Sequence, residues 1–171
     1  FLAMEFIDGE DLDSFLTLRG SDTGQILTLF KEAGRGLAAV HEAGLVHRDF
    51  KTANVLIDSQ RRVKVTDLGL ARAEAQAPAF TSSDAAVPLL TQTGEMIGTP
   101  AYMAPEQYRG AKVDARTDQF ALCVALYEAL YRRLPFGVLS VPELAKAVLS
   151  GAVQPAPSNS SVPGWVRSVL L

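Results

Sequence analysis

Between His47 and Asp58 the chain reads HRDFKTANVLID, which sets a carboxylate (Asp49), two cations (Arg48, Lys51) and a side-chain amide (Asn54) a few positions apart. It then passes at once into the apolar run Val55-Leu56-Ile57. A second acid, Asp67, closes another run rich in β-branched residues, Val63-Lys64-Val65-Thr66, and is followed by Leu68-Gly69. Asn54 and Asp67 supply hard oxygen donors. Beside a free carboxylate and a lysine, such a pair suits a Mg²⁺-bound polyphosphate.

The elements around these residues must bring them together. The two short apolar runs, joined by the polar turn Asp58-Ser59-Gln60-Arg61-Arg62, predict a hairpin, so that Asn54 and Asp67 can face one site. Upstream, Ile26, Leu29, Phe30, Ala33, Leu37 and Val40 recur at three- and four-residue intervals between Gly24 and Gly44. That spacing predicts a long amphipathic helix stopped by Gly44, with His41 in a structural role near its end. Phe1 to Ile7 reads as a buried strand leaving through the turn Asp8-Gly9. Downstream, Thr117 to Tyr131 is apolar on nearly every face and predicts a helix buried inside the domain, with Asp118 at its start suited to accept backbone N–H groups. Leu134-Pro135-Phe136 ends that helix, and Ser140-Val141-Pro142-Glu143 begins another. Gln154 to Ser161 reads as a linker before a last helix. The stretch from Ala73 to Leu90, rich in Ala, Pro, Ser and Thr, reads as a long loop.

The order and spelling of these motifs resemble the eukaryotic-like protein kinases, in their bacterial serine/threonine form. His47, Arg48, Asp49 and Asn54 meet the H-R-D-L-x-x-x-N pattern with Phe50 in place of leucine, and Asp67-Leu68-Gly69 meets D-F-G with leucine in place of phenylalanine. Gly98-Thr99-Pro100-Ala101-Tyr102-Met103-Ala104-Pro105-Glu106 resembles the family's substrate loop ending in A-P-E. Thr52 stands where many members have proline. The resemblance implies an α+β, kinase-like fold: a mainly helical large lobe with a small β-hairpin, residues 1–171 forming a partial kinase domain.

It also implies roles. Asp49 would orient the substrate hydroxyl and accept its proton, and Lys51 would neutralise charge on the transferring phosphoryl group. The lysine two residues after the aspartate is the serine/threonine-type spelling. Asn54 and Asp67 would hold Mg²⁺ or Mn²⁺, with ATP as the phosphoryl donor. Met4 would guard the back of the nucleotide pocket, Glu5 and Ile7 would present backbone groups to the adenine, and Leu56 and Thr66 would line the pocket. Asp11 falls where the family often places a ribose-binding acid; equally, Asp8, Glu10, Asp11 and Asp13 read as acids gathered at a helix N-terminus. Thr91 and Thr93 resemble the autophosphorylated segment of bacterial kinases, which two copies would modify in trans, and Arg48 is the residue that pairs with such a phosphate. His47, Thr99, Glu106 and Asp118 would be structural. Glu106 is expected to stand partly uncompensated, because no arginine partner for it can be assigned.

Composition adds bounds. At 171 residues, 48% hydrophobic and 20% charged, the chain has ordinary globular make-up for one domain. A net charge of −3 provides no basic footprint for nucleic acid. One cysteine, Cys123, cannot form an internal disulfide, which fits a reducing cytoplasmic setting. There is no apolar run of membrane-spanning length. Both ends read as cut: no G-x-G-x-x-G loop or strand lysine occurs in these residues, because in the family both would precede Phe1, so residues 1–171 alone are expected to be inactive. The expected activity of the parent protein is ATP-dependent phosphorylation of serine and threonine hydroxyls on proteins, in bacterial signal transduction. The alternatives are a pseudokinase or nucleotide-binding scaffold, against which Asp49, Lys51, Asn54 and Asp67 argue, and a small-molecule phosphotransferase of related fold, which would lack the GTPAYMAPE loop.

Overall fold

Residues 5–68, 99–158 and 160–170 are described by a computed structural model of the chain. In order they form β1 (Gly9–Asp11), α1 (Leu12–Arg19), α2 (Thr23–Glu42), β2 (Val55–Asp58), β3 (Val63–Val65), α3 (Pro105–Tyr108), α4 (Ala115–Tyr131), α5 (Val141–Ser150) and α6 (Gly164–Leu170), with single 3₁₀ turns at Thr52–Asn54 and Pro100–Tyr102. This is the α+β, mainly helical architecture that the resemblance implies.

The expected hairpin forms. β2 and β3 pair antiparallel with Val55 opposite Val65 and Ile57 opposite Val63, and the turn is fastened by Asp58, whose Oδ1 accepts from the backbone N–H groups of Gln60 and Arg62, each at 2.9 Å. The Arg62 N–H holds the Asp58 carboxyl below the usual carboxylate range, against a smaller opposing effect of burial.

The first strand is corrected at its end, with Phe1 to Met4 outside the described residues. Among the described residues, 5–8 are irregular and Phe6 is 89% exposed, while pairing begins at Gly9, where a turn was expected. A run of β-formers becomes a strand only where a neighbour offers ladder hydrogen bonds, and residues 5–7 have no such neighbour among the described residues. Gly9 has one: it stands opposite Asp58 on β2, so close that a Cβ there would lie 2.1 Å from the Ile57 carbonyl oxygen. Because the obstacle is backbone and cannot rotate away, Gly9→Ala is expected to pry β1 from β2 and cost about 1–3 kcal/mol. A urea titration of the variant, with an unchanged midpoint as the contrary result, checks this.

Helix boundaries follow their caps. Asp22 accepts from the Gln25 N–H at 2.8 Å and starts α2 one residue before the expected Gly24, and Gly44, at φ 76°, stops the chain just past its end. Asp114 accepts from the Arg116 N–H at 2.8 Å, so α4 begins two residues ahead of Thr117.

α4 is buried on both sides, as an all-round apolar helix must be. Its small residues Ala121, Ala125 and Ala129 lie in a core with Leu29, Phe30, Ala33 and Leu37 of α2, Leu12, Phe15 and Leu16 of α1, Phe50, and Val55 and Ile57 of β2. Its opposite side, through Val124, joins Met103, Tyr108, Phe136, Leu144 and Val148 in a second core. The polar segment from His47 to Asn54 therefore sits between the hairpin and the N-terminal end of α4.

Candidate active site

The loop before β2 takes its shape from one carboxylate. Asp118, in the first turn of α4 and fully buried, accepts the backbone N–H of His47 at 2.8 Å on Oδ2 and that of Arg48 at 2.7 Å on Oδ1. His41, at the end of α2, donates Nε2–H to the same Oδ2 at 2.7 Å. Held in this way, Arg48 adopts a left-handed backbone, φ 68°. A non-glycine residue in that region costs about 1–3 kcal/mol and persists only where its surroundings fix it. His47 is also fully buried: its Nε2 donates to the Thr66 carbonyl at 2.8 Å, and its ring meets Phe50 edge-on at 6.0 Å. So the phenylalanine that replaces the usual leucine is a core residue, 1% exposed.

The side chains that could do chemistry come out of this frame half-exposed. Asp49 Oδ2 lies 3.5 Å from Lys51 Nζ, with the two side chains 30% and 27% exposed, open enough to meet a substrate. Lys51 Nζ donates at 3.0 Å to Thr99 Oγ1, which joins the segment from His47 to Asn54 to the segment running from Thr99 to Ala104. Asn54 is buried, and its Nδ2 donates to the Asp49 carbonyl at 2.8 Å. That bond fixes the amide and reserves Oδ1 as an oxygen donor. Thr66 N–H donates to the Asn54 carbonyl at 2.9 Å, which brings the end of β3, and with it Asp67, alongside Asn54. Asp67 is exposed and again left-handed, φ 56°. An amide oxygen and a carboxylate on adjoining segments are the donor set a hard divalent cation takes, so the residues present fit Mg²⁺ or Mn²⁺.

The remaining predicted positions are more scattered. Leu56, half-buried on β2, is registered between Asp11 on one side and Lys64 on the other. Asp11 is the N-cap of α1, accepting the Ser14 N–H at 2.9 Å and the Ser14 hydroxyl at 2.8 Å. Burial pushes its carboxyl up, but the Ser14 donors outweigh it and leave the group below its ordinary range. Glu5 is exposed and its carboxylate pairs with Lys64 at 2.8 Å; that hydrogen bond lowers its pKa. Ile7 is half-buried. Met4, Thr91 and Thr93 lie outside the described residues.

Glu106 has a partner that the sequence did not announce: Thr117, in the first turn of α4, donates its hydroxyl to Glu106 Oε1 at 2.5 Å, and among the described residues no cation pairs with it. α3 lands directly on the start of α4.

Sequence reasoning also missed several contacts around the site. Thr52, in the usual proline position, donates to Asp13 Oδ1 at 3.3 Å, a bond proline could not make. Tyr102 donates to Glu128, and Tyr108 donates to the Pro100 carbonyl at 2.7 Å. Burial pushes the Tyr108 phenol up to about 12, and burial with the Glu128 carboxylate raises Tyr102 as well, so both rings serve as neutral donors. One signal was available: Glu128 is an acid set within the apolar face pattern of α4.

With this geometry in hand, the chain was compared with known proteins. Residues 1–165 match the protein kinase domain family model. The chain is 39% identical over 174 residues to the serine/threonine-protein kinase PknA of Mycobacterium tuberculosis, covering 99% of this chain and 37% of that protein. It is 41% identical over 138 residues to the serine/threonine-protein kinase pkn2 of Myxococcus xanthus, covering 79% of this chain and 16% of that protein. It is also 36% identical over 162 residues to PknA of Corynebacterium glutamicum, covering 94% and 32% respectively. The chain thus spans well under half the length of these relatives.

Proposed function

We propose that this chain, which belongs to the protein kinase family and within it to the bacterial-type serine/threonine kinases, carries the site that transfers the γ-phosphoryl group of ATP to serine and threonine hydroxyls of proteins. The observation that carries this reading is the placement of Asp49, Lys51 and Thr99 in one contact chain, with Asn54 tied to the Asp49 carbonyl. Asp49 is positioned to orient an incoming hydroxyl and accept its proton. Lys51, 3.5 Å away, offers its charge to the phosphoryl oxygens and, through Thr99, keeps the substrate segment in reach. Asn54 and Asp67 would hold the divalent cation, which when bound supplies charge neutralisation between the phosphates. Leu56, Thr66, Met4 and the backbone of Glu5 and Ile7 would line the nucleotide pocket. For Asp11 we keep the ribose role only as secondary to its observed cap. Residues 1–171 are read as part of one kinase domain. A cytoplasmic setting, where ATP is at hand, belongs to the same reading; among the described residues no helix is long and apolar enough to cross a membrane.

The same reading makes Thr91 and Thr93 sites of autophosphorylation between two copies, with Arg48 as the partner of the phosphate. A phosphothreonine brings close to two negative charges and three acceptor oxygens, which an arginine can bind in charge-assisted pairs. The full-length protein incubated with MgATP is expected to phosphorylate serine and threonine in a protein acceptor at roughly 1–100 s⁻¹ once activated. Mass spectrometry should find Thr91 or Thr93 modified, and the Thr91→Ala, Thr93→Ala double variant should lose most of kcat. No transfer to protein by the wild type overturns the functional reading; a fully active double variant removes the switch alone.

A further inference from the structure

We propose that Gln107 is a positioning residue for the phosphoryl-transfer site: its amide holds the Arg48 carbonyl and thereby aims the Asp49 carboxylate. The inference rests on the functional reading above and goes beyond it. Gln107 lies on α3, 59 residues from the catalytic segment, and donates Nε2–H to the Arg48 carbonyl at 3.0 Å. Its Oε1 accepts the Ala104 N–H at 2.9 Å, where the substrate segment ends and α3 begins. One amide therefore spans the two segments that meet at the reacting groups, using its donor on one and its acceptor on the other.

The point of attachment explains the consequence. The peptide joining Arg48 to Asp49 follows the left-handed Arg48 backbone at φ 68°. Asp118 fixes the N–H on the near side of Arg48 at 2.7 Å, but that bond does not set the rotation of the following peptide. The Asp49 N–H has only a long contact, 3.4 Å, to His47 Nδ1. Among the described residues, the Gln107 bond is the shorter of the two to this peptide. Without it, the strain at Arg48 has a route to relax, and relaxation swings the Asp49 side chain away from Lys51. Glutamine is suited to this place because only an amide both donates and accepts. An ionised glutamate side chain there would keep the acceptor for Ala104 and lose the donor for Arg48.

The test compares wild type, Gln107→Glu and Gln107→Ala in the full-length protein. Gln107→Glu is expected to lower kcat by roughly 10- to 100-fold, the scale of a small misplacement of a reacting group. KM for MgATP should be retained, and the melting temperature should fall modestly, through the freed Arg48 carbonyl. Amide hydrogen exchange should quicken in a peptide spanning His47 to Lys51 and stay as in wild type across α4. Gln107→Ala should match it in kcat and lose more stability, through the freed Ala104 N–H as well. An unchanged kcat and unchanged exchange in Gln107→Glu overturn the proposal. So does a parallel loss of kcat, ATP affinity and melting temperature, which would make Gln107 merely structural. If the wild type transfers no phosphoryl group, the functional reading fails instead, and the exchange comparison still decides whether Gln107 orders the segment.

Discussion

Asp49→Asn is expected to lower kcat by roughly 10²–10⁴-fold, the usual contribution of a positioned general base, while MgATP binds nearly as before. Asp67→Ala is expected to abolish turnover together with tight binding of MgATP. The contrast follows from the geometry. The Asp49 carboxylate lies 3.5 Å from Lys51, which in turn donates to Thr99, the side at which a hydroxyl would enter, and Asp49 meets the proposed metal-binding pair through a short bond from Asn54 to its backbone carbonyl, 2.8 Å, and a longer one to its carboxylate, 3.5 Å. On the proposed reading Asp67 is half of that pair. Asparagine preserves the Asp49 shape and removes its basicity; alanine at Asp67 removes the carboxylate assigned to the cation. Steady-state kinetics with calorimetry of MgATP binding separates the two. An equal loss of affinity in both variants would show that Asp49 is not confined to the hydroxyl side.

The second large effect is on folding. Asp118→Ala leaves the His47 N–H, in a fully buried place, and the Arg48 N–H, in a partly buried one, without their acceptor, and each such orphan costs about 1–3 kcal/mol. The sum, roughly 2–6 kcal/mol, is a large part of the 5–15 kcal/mol that stabilises a typical domain. The variant should unfold at markedly lower urea, and what remains folded should have lost the left-handed turn at Arg48. Asp118→Asn keeps one oxygen and should fall between the two. A urea midpoint for Asp118→Ala equal to that of wild type would mean that the loop is shaped by something other than this carboxylate.

Much of this arrangement was legible in the residues. The hairpin was, because Val55-Leu56-Ile57 and Val63-Lys64-Val65 alternate with a turn whose Asp58 fastens its own loop, all within a dozen positions. α2 and α4 were, because a helix shows its buried face in its own spacing. The last part of the first strand was not: residues 5–7 have the composition of a strand, but composition does not say which backbone they will lie against, and among the described residues pairing starts where Gly9 approaches Ile57. For the same reason the bond between Thr117 and Glu106 was not legible. Thr117 is a common helix-start residue, and nothing in its type announces that it reaches back to α3. Residues with chemistry of their own, such as Asp49 and Asn54, could be found by type and spacing. Those that act by reaching another segment, such as Thr52, Gln107 and Glu128, became visible only once the segments were folded together.

The hydrogen bonds of Asp118 also set a schedule for biosynthesis. The backbone groups it accepts belong to residues 71 and 70 positions earlier in the chain. At ~5–20 residues per second, the ribosome adds Asp118 on the order of 4–14 s after His47 and Arg48. Throughout that interval the nascent segment carries its reactive aspartate and lysine without the acceptor that gives them their geometry. Any incomplete chain that stops short of α4 thus lacks the carboxylate that shapes this loop, and on the proposed function a truncated translation product could not phosphorylate its neighbours on the polysome.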